Sequence, residues 1–194
     1  MYRDNGPDCA LWPTTRRTAL IGAVALVAQC SLAAATPLAD LPGWGATRWG
    51  MSRDALSSAV GPSLVKLATP LTYGRLVVRD TLPGQRIAGR PFVILFQIDP
   101  ATETLAQVLL RYRGDFPVLS DFVTIRDLLA KDYGAPRESR SETDYSGSFP
   151  SFWIEADWRF PTTDIFLSLT DPNADPYSGR RKTLVLRYAP SAKR

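Results

Sequence analysis

The stretch that decides the fold is Phe92-Val93-Ile94-Leu95-Phe96, an unbroken apolar run within segment 91–98. A strand with one buried face alternates apolar and polar residues, whereas a continuous apolar run of this length is typical of a strand covered on both faces. We therefore predict a central strand here. The turn-forming residues of 99–103 predict a hairpin to a further strand over 104–112.

Two helices are predicted, one before this hairpin and one after it. The first spans 53–60, where apolar residues recur at helical spacing. The second spans 118–133, where apolar residues recur at steps of three and four and polar residues such as Asp121 are expected to face water. The predicted helix ends are marked by capping and breaking residues, namely Ser52, Gly61-Pro62, Gly134 and Pro136.

The remaining strands complete the predicted fold. Alternation of apolar and polar residues indicates a half-buried antiparallel strand over 152–160. With the other candidates the order is a helix and three strands, twice, so we predict an α+β fold: an antiparallel sheet of about six strands with two main helices on one face. A duplicated αβββ unit, with half-repeats at 44–113 and 117–189, and a single unduplicated domain both fit this order. The other candidate strands are 72–79, 165–170 and 183–188.

The first 35 residues have the features of a secretory signal peptide. Arg16-Arg17 precede the uncharged run 19–29, and Ala33-Ala34-Ala35 form a small-residue cleavage pattern. We predict a signal peptide over 1–35 and a single domain over 36–194, located in the periplasm or secreted. The paired arginines resemble a twin-arginine export signal, and ordinary Sec export is the alternative. An uncleaved leader would instead anchor the chain in the inner membrane, and only then is membrane contact predicted.

Composition removes several classes of chemistry. The chain contains no histidine, and both cysteines, Cys9 and Cys30, lie in the predicted leader. The usual general base, metal ligand and thiol nucleophile are therefore missing, and no catalytic residue, cofactor or metal site is assigned. The net charge of +4 is carried by dispersed basic residues, which argues against nucleic acid as a partner. The densest basic cluster, Arg180-Arg181-Lys182, is interpreted as charge that protects an edge strand.

Two short motifs resemble those of known proteins. Trp49-Gly50-Met51-Ser52 and Lys131-Asp132-Tyr133-Gly134-Ala135-Pro136 are similar to the W-G-M-S/T and K-Y-G-x-P signatures of uncharacterised bacterial secreted proteins, with Asp132 inserted here between lysine and tyrosine. The order of helix, Gly-x-Pro and sheet more distantly resembles the outer-membrane assembly lipoproteins and the β-lactamase-inhibitor-like αβββ folds. Those proteins bind other proteins and catalyse nothing, so the resemblance implies a binding role.

Candidate contact residues lie on one side of the predicted strand 152–160. Trp153, Glu155 and Asp157 alternate with apolar residues, so they share the face opposite the core. A simple solvated surface would explain the two acids, but a tryptophan beside them is suited to contact a sugar or a protein. Tyr145 and Phe149, in a nearby Ser/Gly-rich loop, are further candidates.

These observations predict an exported, non-catalytic binding or envelope-interaction protein, whose partner is an envelope protein or a small ligand. The alternative is a carboxylate-dependent hydrolase acting on an envelope or sugar substrate. In that case Glu155 and Asp157 would serve as the acid and base pair.

Overall fold

The computed structural model describes residues 40–145, 151–172 and 181–192. The predicted leader, Phe149 and Arg180 lie outside these residues.

The described chain forms two helices and eight strands. The helices are α1 (Arg53–Val60) and α2 (Leu119–Tyr133). The strands are β1 (Val65–Tyr73), β2 (Leu76–Ile87), β3 (Arg90–Asp99), β4 (Thr104–Tyr112), β5 (Glu138–Asp144), β6 (Ser151–Arg159), β7 (Thr163–Asp171) and β8 (Thr183–Pro190). They form one antiparallel sheet in the order β1-β2-β3-β4-β8-β7-β6-β5.

The predicted α+β fold, built on an antiparallel sheet of about six strands with two main helices, is wrong. The described chain is mostly sheet, and each helix is followed by four strands instead of the three of an αβββ unit. The errors lie at the two edges of the sheet. The edge strand β5 is polar and almost wholly exposed, so it has no apolar periodicity to reveal it. At the other edge, the predicted strand 72–79 spans the turn between β1 and β2.

Both predicted helices are confirmed, and their ends follow from the residues there. The bounds of α1 agree with the prediction, and the Ser52 hydroxyl accepts a hydrogen bond from the Ala55 amide at 3.3 Å. The expectation that Asp121 faces water is wrong, because its side chain is buried. Its carboxylate accepts a hydrogen bond from the Val118 amide at 3.0 Å and forms an ion pair with Arg90 at 2.8 Å. These partners explain why a charged residue is tolerated at this position.

The two faces of the sheet are covered to different extents. On one face, Ile94 and Phe96 of β3 join a large core cluster with Leu56 of α1 and Ile125 of α2. We call this the helix-covered face. The opposite face has a smaller cluster centred on three buried residues. We call it the helix-free face, because both described helices pack on the other side of the sheet. The three residues are Val78, Leu95 and Leu109. The prediction that β3 is covered on both faces is thus confirmed.

Candidate functional site

The predicted contact residues on β6 lie on the helix-free face. Ala156 and Trp158 belong to the core of the helix-covered face, and Trp153, Glu155 and Asp157 alternate with them. Trp153 and Glu155 are half-buried. The expectation that Asp157 lies on a solvated surface is wrong, because this residue is only 3% exposed.

Arginines contact acidic side chains in this row and on the neighbouring strand. Arg159 Nε donates to Asp157 Oδ2 at 2.9 Å, and this hydrogen bond raises the pKa of Arg159. On the neighbouring strand β5, Arg140 forms an ion pair with Glu138 and thereby lowers the pKa of that carboxyl. A hydrolase with two carboxylates needs one of them held protonated, which requires an apolar or acidic environment. Asp157 instead contacts Arg159, so its surroundings are not of this kind.

The remaining predicted contact residues are Tyr145 and Phe149. Tyr145 is highly exposed and directly follows β5, and Phe149 lies outside the described residues. Neither Tyr145 nor Trp153 lines any of the pockets described below. Tyr145 and Trp153 therefore share neither of these pockets.

The strand order creates a different site. The strand β8 lies between β4 and β7, so it is central, and the edge-strand interpretation of the basic cluster is wrong. Arg111 of β4 is paired directly with Val185 of β8. This register brings Arg111 and Arg113 near Arg181 and Lys182, which stand at the start of β8, although the two segments are far apart in sequence.

These four basic residues line a pocket of about 480 Å³, which we call the cationic pocket. Phe116 lines it as well, and Asp115 is the acidic residue among the lining side chains. Lys182 Nζ is held at 2.8 Å from the Asp171 carboxylate. The three arginines occur in none of the ion pairs formed between described residues. The pocket therefore has an excess of positive charge.

A second pocket of about 390 Å³ lies on the helix-free face toward the β1 edge. Its walls are mainly apolar, and we call it the apolar pocket. Its lining includes Leu67, Leu71, Tyr73, Pro83, Val93 and Leu95. Register shifts occur in β1 between Lys66 and Leu71 and in β2 between Leu82 and Gln85. Such bulges bend strands and interrupt regular pairing, which leaves the depression between these two strands and β3.

Arg111 and Arg113 line both pockets. They are two residues apart, so the geometry of a strand puts both side chains on one side of β4 and its end. The sequence does not show that β4 pairs with β8, and this pairing brings Arg181 and Lys182 into the cationic pocket. The charge cluster noticed near residue 181 was the available signal, and it was assigned to the wrong position in the sheet.

Comparisons with protein-family models, with curated proteins and with solved structures found no match for this chain. The resemblance to secreted and envelope proteins therefore stays a prediction. Across the described ranges, neither helix is long and apolar enough to cross a membrane. The same residues contain no group of three or more acidic, histidine or cysteine side chains arranged to hold a metal ion.

Proposed function

We propose that this chain is an exported, non-catalytic binding protein that takes an anionic small ligand into the cationic pocket. The observation that carries the proposal is the convergence of Arg111, Arg113, Arg181 and Lys182 on one pocket in which Asp115 is the opposing acid. Clustered like charges repel one another, and an anion bound among them relieves that repulsion.

The chemistry of the lining narrows the class of ligand. A guanidinium group presents a planar set of donors that matches a phosphate or a carboxylate with two parallel hydrogen bonds. The Asp171 carboxylate offsets the charge of Lys182, so the three arginines provide the donors that remain for an anion. Phe116, whose ring is largely exposed, provides an apolar surface beside these cations. A phosphate or carboxylate group is therefore the best match.

The partner classes predicted from the sequence were an envelope protein and a small ligand. A concave pocket with convergent polar groups favours the small ligand, because small-molecule sites are typically clefts of about 300–1,000 Å³. The signal-peptide pattern of residues 1–35 supports an envelope location for this binding. Fractionation of cells that express the full chain would test that location.

The binding experiment uses inorganic pyrophosphate and methyl phosphate, titrated calorimetrically into the protein at low ionic strength. We expect saturable binding that weakens as salt is added, because exposed charges are screened. Arg181→Gln removes a charge-assisted contact and is expected to weaken binding about tenfold or more. Arg75→Gln is the matched control, since Arg75 is exposed at the turn between β1 and β2 and lines neither pocket.

Two results would overturn the proposal. One is the lack of binding by either phosphate at millimolar concentration. The other is an equal loss of affinity in both variants, which would show that only the net charge of the protein matters. Retained binding in Arg75→Gln with clear weakening in Arg181→Gln supports the cationic pocket.

A further inference from the structure

The two edges of the sheet differ in a way that the fold alone does not explain. The edge strand β5 consists of charged and small polar residues, which is a common protection of an unpaired edge. The edge strand β1 instead exposes Val65 and Leu71, and its Leu67 and Tyr73 are only partly buried. Apolar side chains at an open edge promote aggregation unless something covers them.

The apolar side chains of β1 do not lie alone. Leu67, Leu71 and Tyr73 form one wall of the apolar pocket, and Val93 and Leu95 of β3 contribute further apolar surface. At the opposite end this pocket is bounded by Arg111 and Arg113, which also line the cationic pocket. An apolar groove therefore leads directly to a group of cations.

We propose that the ligand is an anionic amphiphile, with its acyl or alkyl chain in the apolar pocket and its phosphate or carboxylate group in the cationic pocket. This inference rests on the proposed function, because the cationic pocket binds the head group in both. Arg111 and Arg113 mark the boundary between head group and chain. Their aliphatic stems can contact the first methylenes while the guanidinium groups contact the anion.

The groove fits an anionic amphiphile better than it fits an added polypeptide strand, for two reasons. A strand added at the edge would need the backbone donors of β1, and Pro70 removes one of them in the middle of that strand. An added strand would also leave the arginines at the far end of the groove without an anionic partner. A molecule with an apolar chain and an anionic head satisfies both ends of the groove.

The experiment measures binding of a series of n-alkyl phosphates, from methyl to dodecyl, each below its micelle-forming concentration. Burial of each methylene should raise the affinity roughly two- to fourfold until the apolar pocket is filled. Octyl glucoside, which has a chain but no charge, is expected to bind far more weakly than octyl phosphate. Competition between methyl and dodecyl phosphate is expected, because both place a phosphate in the same pocket.

Leu71→Glu is the informative variant, since it places a charge in the wall of the apolar pocket. We expect it to abolish the dependence of affinity on chain length, and to weaken methyl phosphate binding far less than Arg181→Gln does. Val65→Glu is a matched control: Val65 is on the same strand and 47% exposed, against 41% for Leu71, but does not line the pocket. Both positions are exposed, so both variants are expected to fold.

The outcomes separate this inference from the proposed function. If all alkyl phosphates bind with the affinity of methyl phosphate, the chain site is wrong and the anion site stands. If octyl glucoside binds as tightly as octyl phosphate, the apolar pocket binds chains without the cations, and the amphiphile proposal fails. A change of oligomeric state in Leu71→Glu, measured by sedimentation, would show that a second copy covers β1, which also overturns it.

Discussion

Trp153 and Trp158 lie on the same strand, β6, and show how differently the two faces of the sheet are used. Trp158, on the helix-covered face, is 2% exposed, and its indole N–H donates to the Gly134 carbonyl at 2.8 Å. Trp153, on the helix-free face, is half-buried beside charged residues. The larger core lies under the helices, and Arg111 and Arg113, which line both pockets that we propose for ligand binding, are not part of that core. The larger share of the stabilising contacts is thus assigned to the helix-covered face.

The largest expected effect tests this assignment directly. Trp158→Ala removes a buried ring and leaves the Gly134 carbonyl without its donor, so we expect a loss of about 3–5 kcal/mol in the free energy of unfolding. For Trp153→Ala we expect a loss of about 1 kcal/mol or less, since its ring is only partly removed from water. Urea unfolding of both variants measures the difference. A comparable loss in the two would show that the helix-free face also carries core packing.

A smaller effect is expected from an ion pair that belongs to the helix-covered side. Arg53 of α1 donates two hydrogen bonds to the buried Asp80 carboxylate of β2, at 2.6 and 2.8 Å. Asp80→Ala is expected to cost about 2 kcal/mol, because Arg53 is one-third exposed and water can replace part of the lost contact.

The control for Asp80→Ala is Glu138→Ala, which breaks the exposed ion pair with Arg140 at the β5 edge. Exposed pairs contribute little to stability, so we expect no measurable change there. The two variants would be compared by thermal and by urea unfolding. Equal destabilisation would contradict the assignment of the stabilising contacts to the helix-covered face.

The smallest effect concerns alkaline pH. Burial, together with the nearby Tyr133 side chain, raises the pKa of Tyr188 well above its usual value, so the folded protein keeps this phenol neutral. In the unfolded chain the phenol ionises from about pH 10. The unfolded state then binds fewer protons than the folded state, and the stability that Tyr188 contributes is complete below pH 10 and declines above it.

Unfolding free energies measured on either side of pH 10 test this expectation. The decline is expected to be shallower in Tyr188→Phe, which has no phenol to ionise. In Tyr145→Phe the decline should match that of the unchanged protein, because Tyr145 is exposed in the folded state. An unchanged slope in Tyr188→Phe would show that the phenol does not remain protonated under α2.

Sequence patterns predicted the interior of the sheet better than its edges. The strands β3 and β4 and both helices were placed within one or two residues. An unbroken apolar run marks β3, a hairpin turn places β4 after it, and apolar residues recur at helical spacing in both helices. The edges β1 and β5 bury little, so their sequences carry almost no periodic signal. Asp121 was misplaced for a related reason, since a buried charge is identified only by its partner, and Arg90 is far away in sequence.

Local pattern alone established which side of β6 faces the larger core, because apolar and polar residues alternate there. The position of β8 between β4 and β7 was decided only in the folded chain, and with it the meeting of Arg111 and Arg181. Alternation of apolar and polar residues is a local pattern, so a short stretch of sequence is enough to show which residues are buried. Strand order depends on pairing between distant segments, and the free energy of that pairing is a sum over the whole sheet that no short stretch contains.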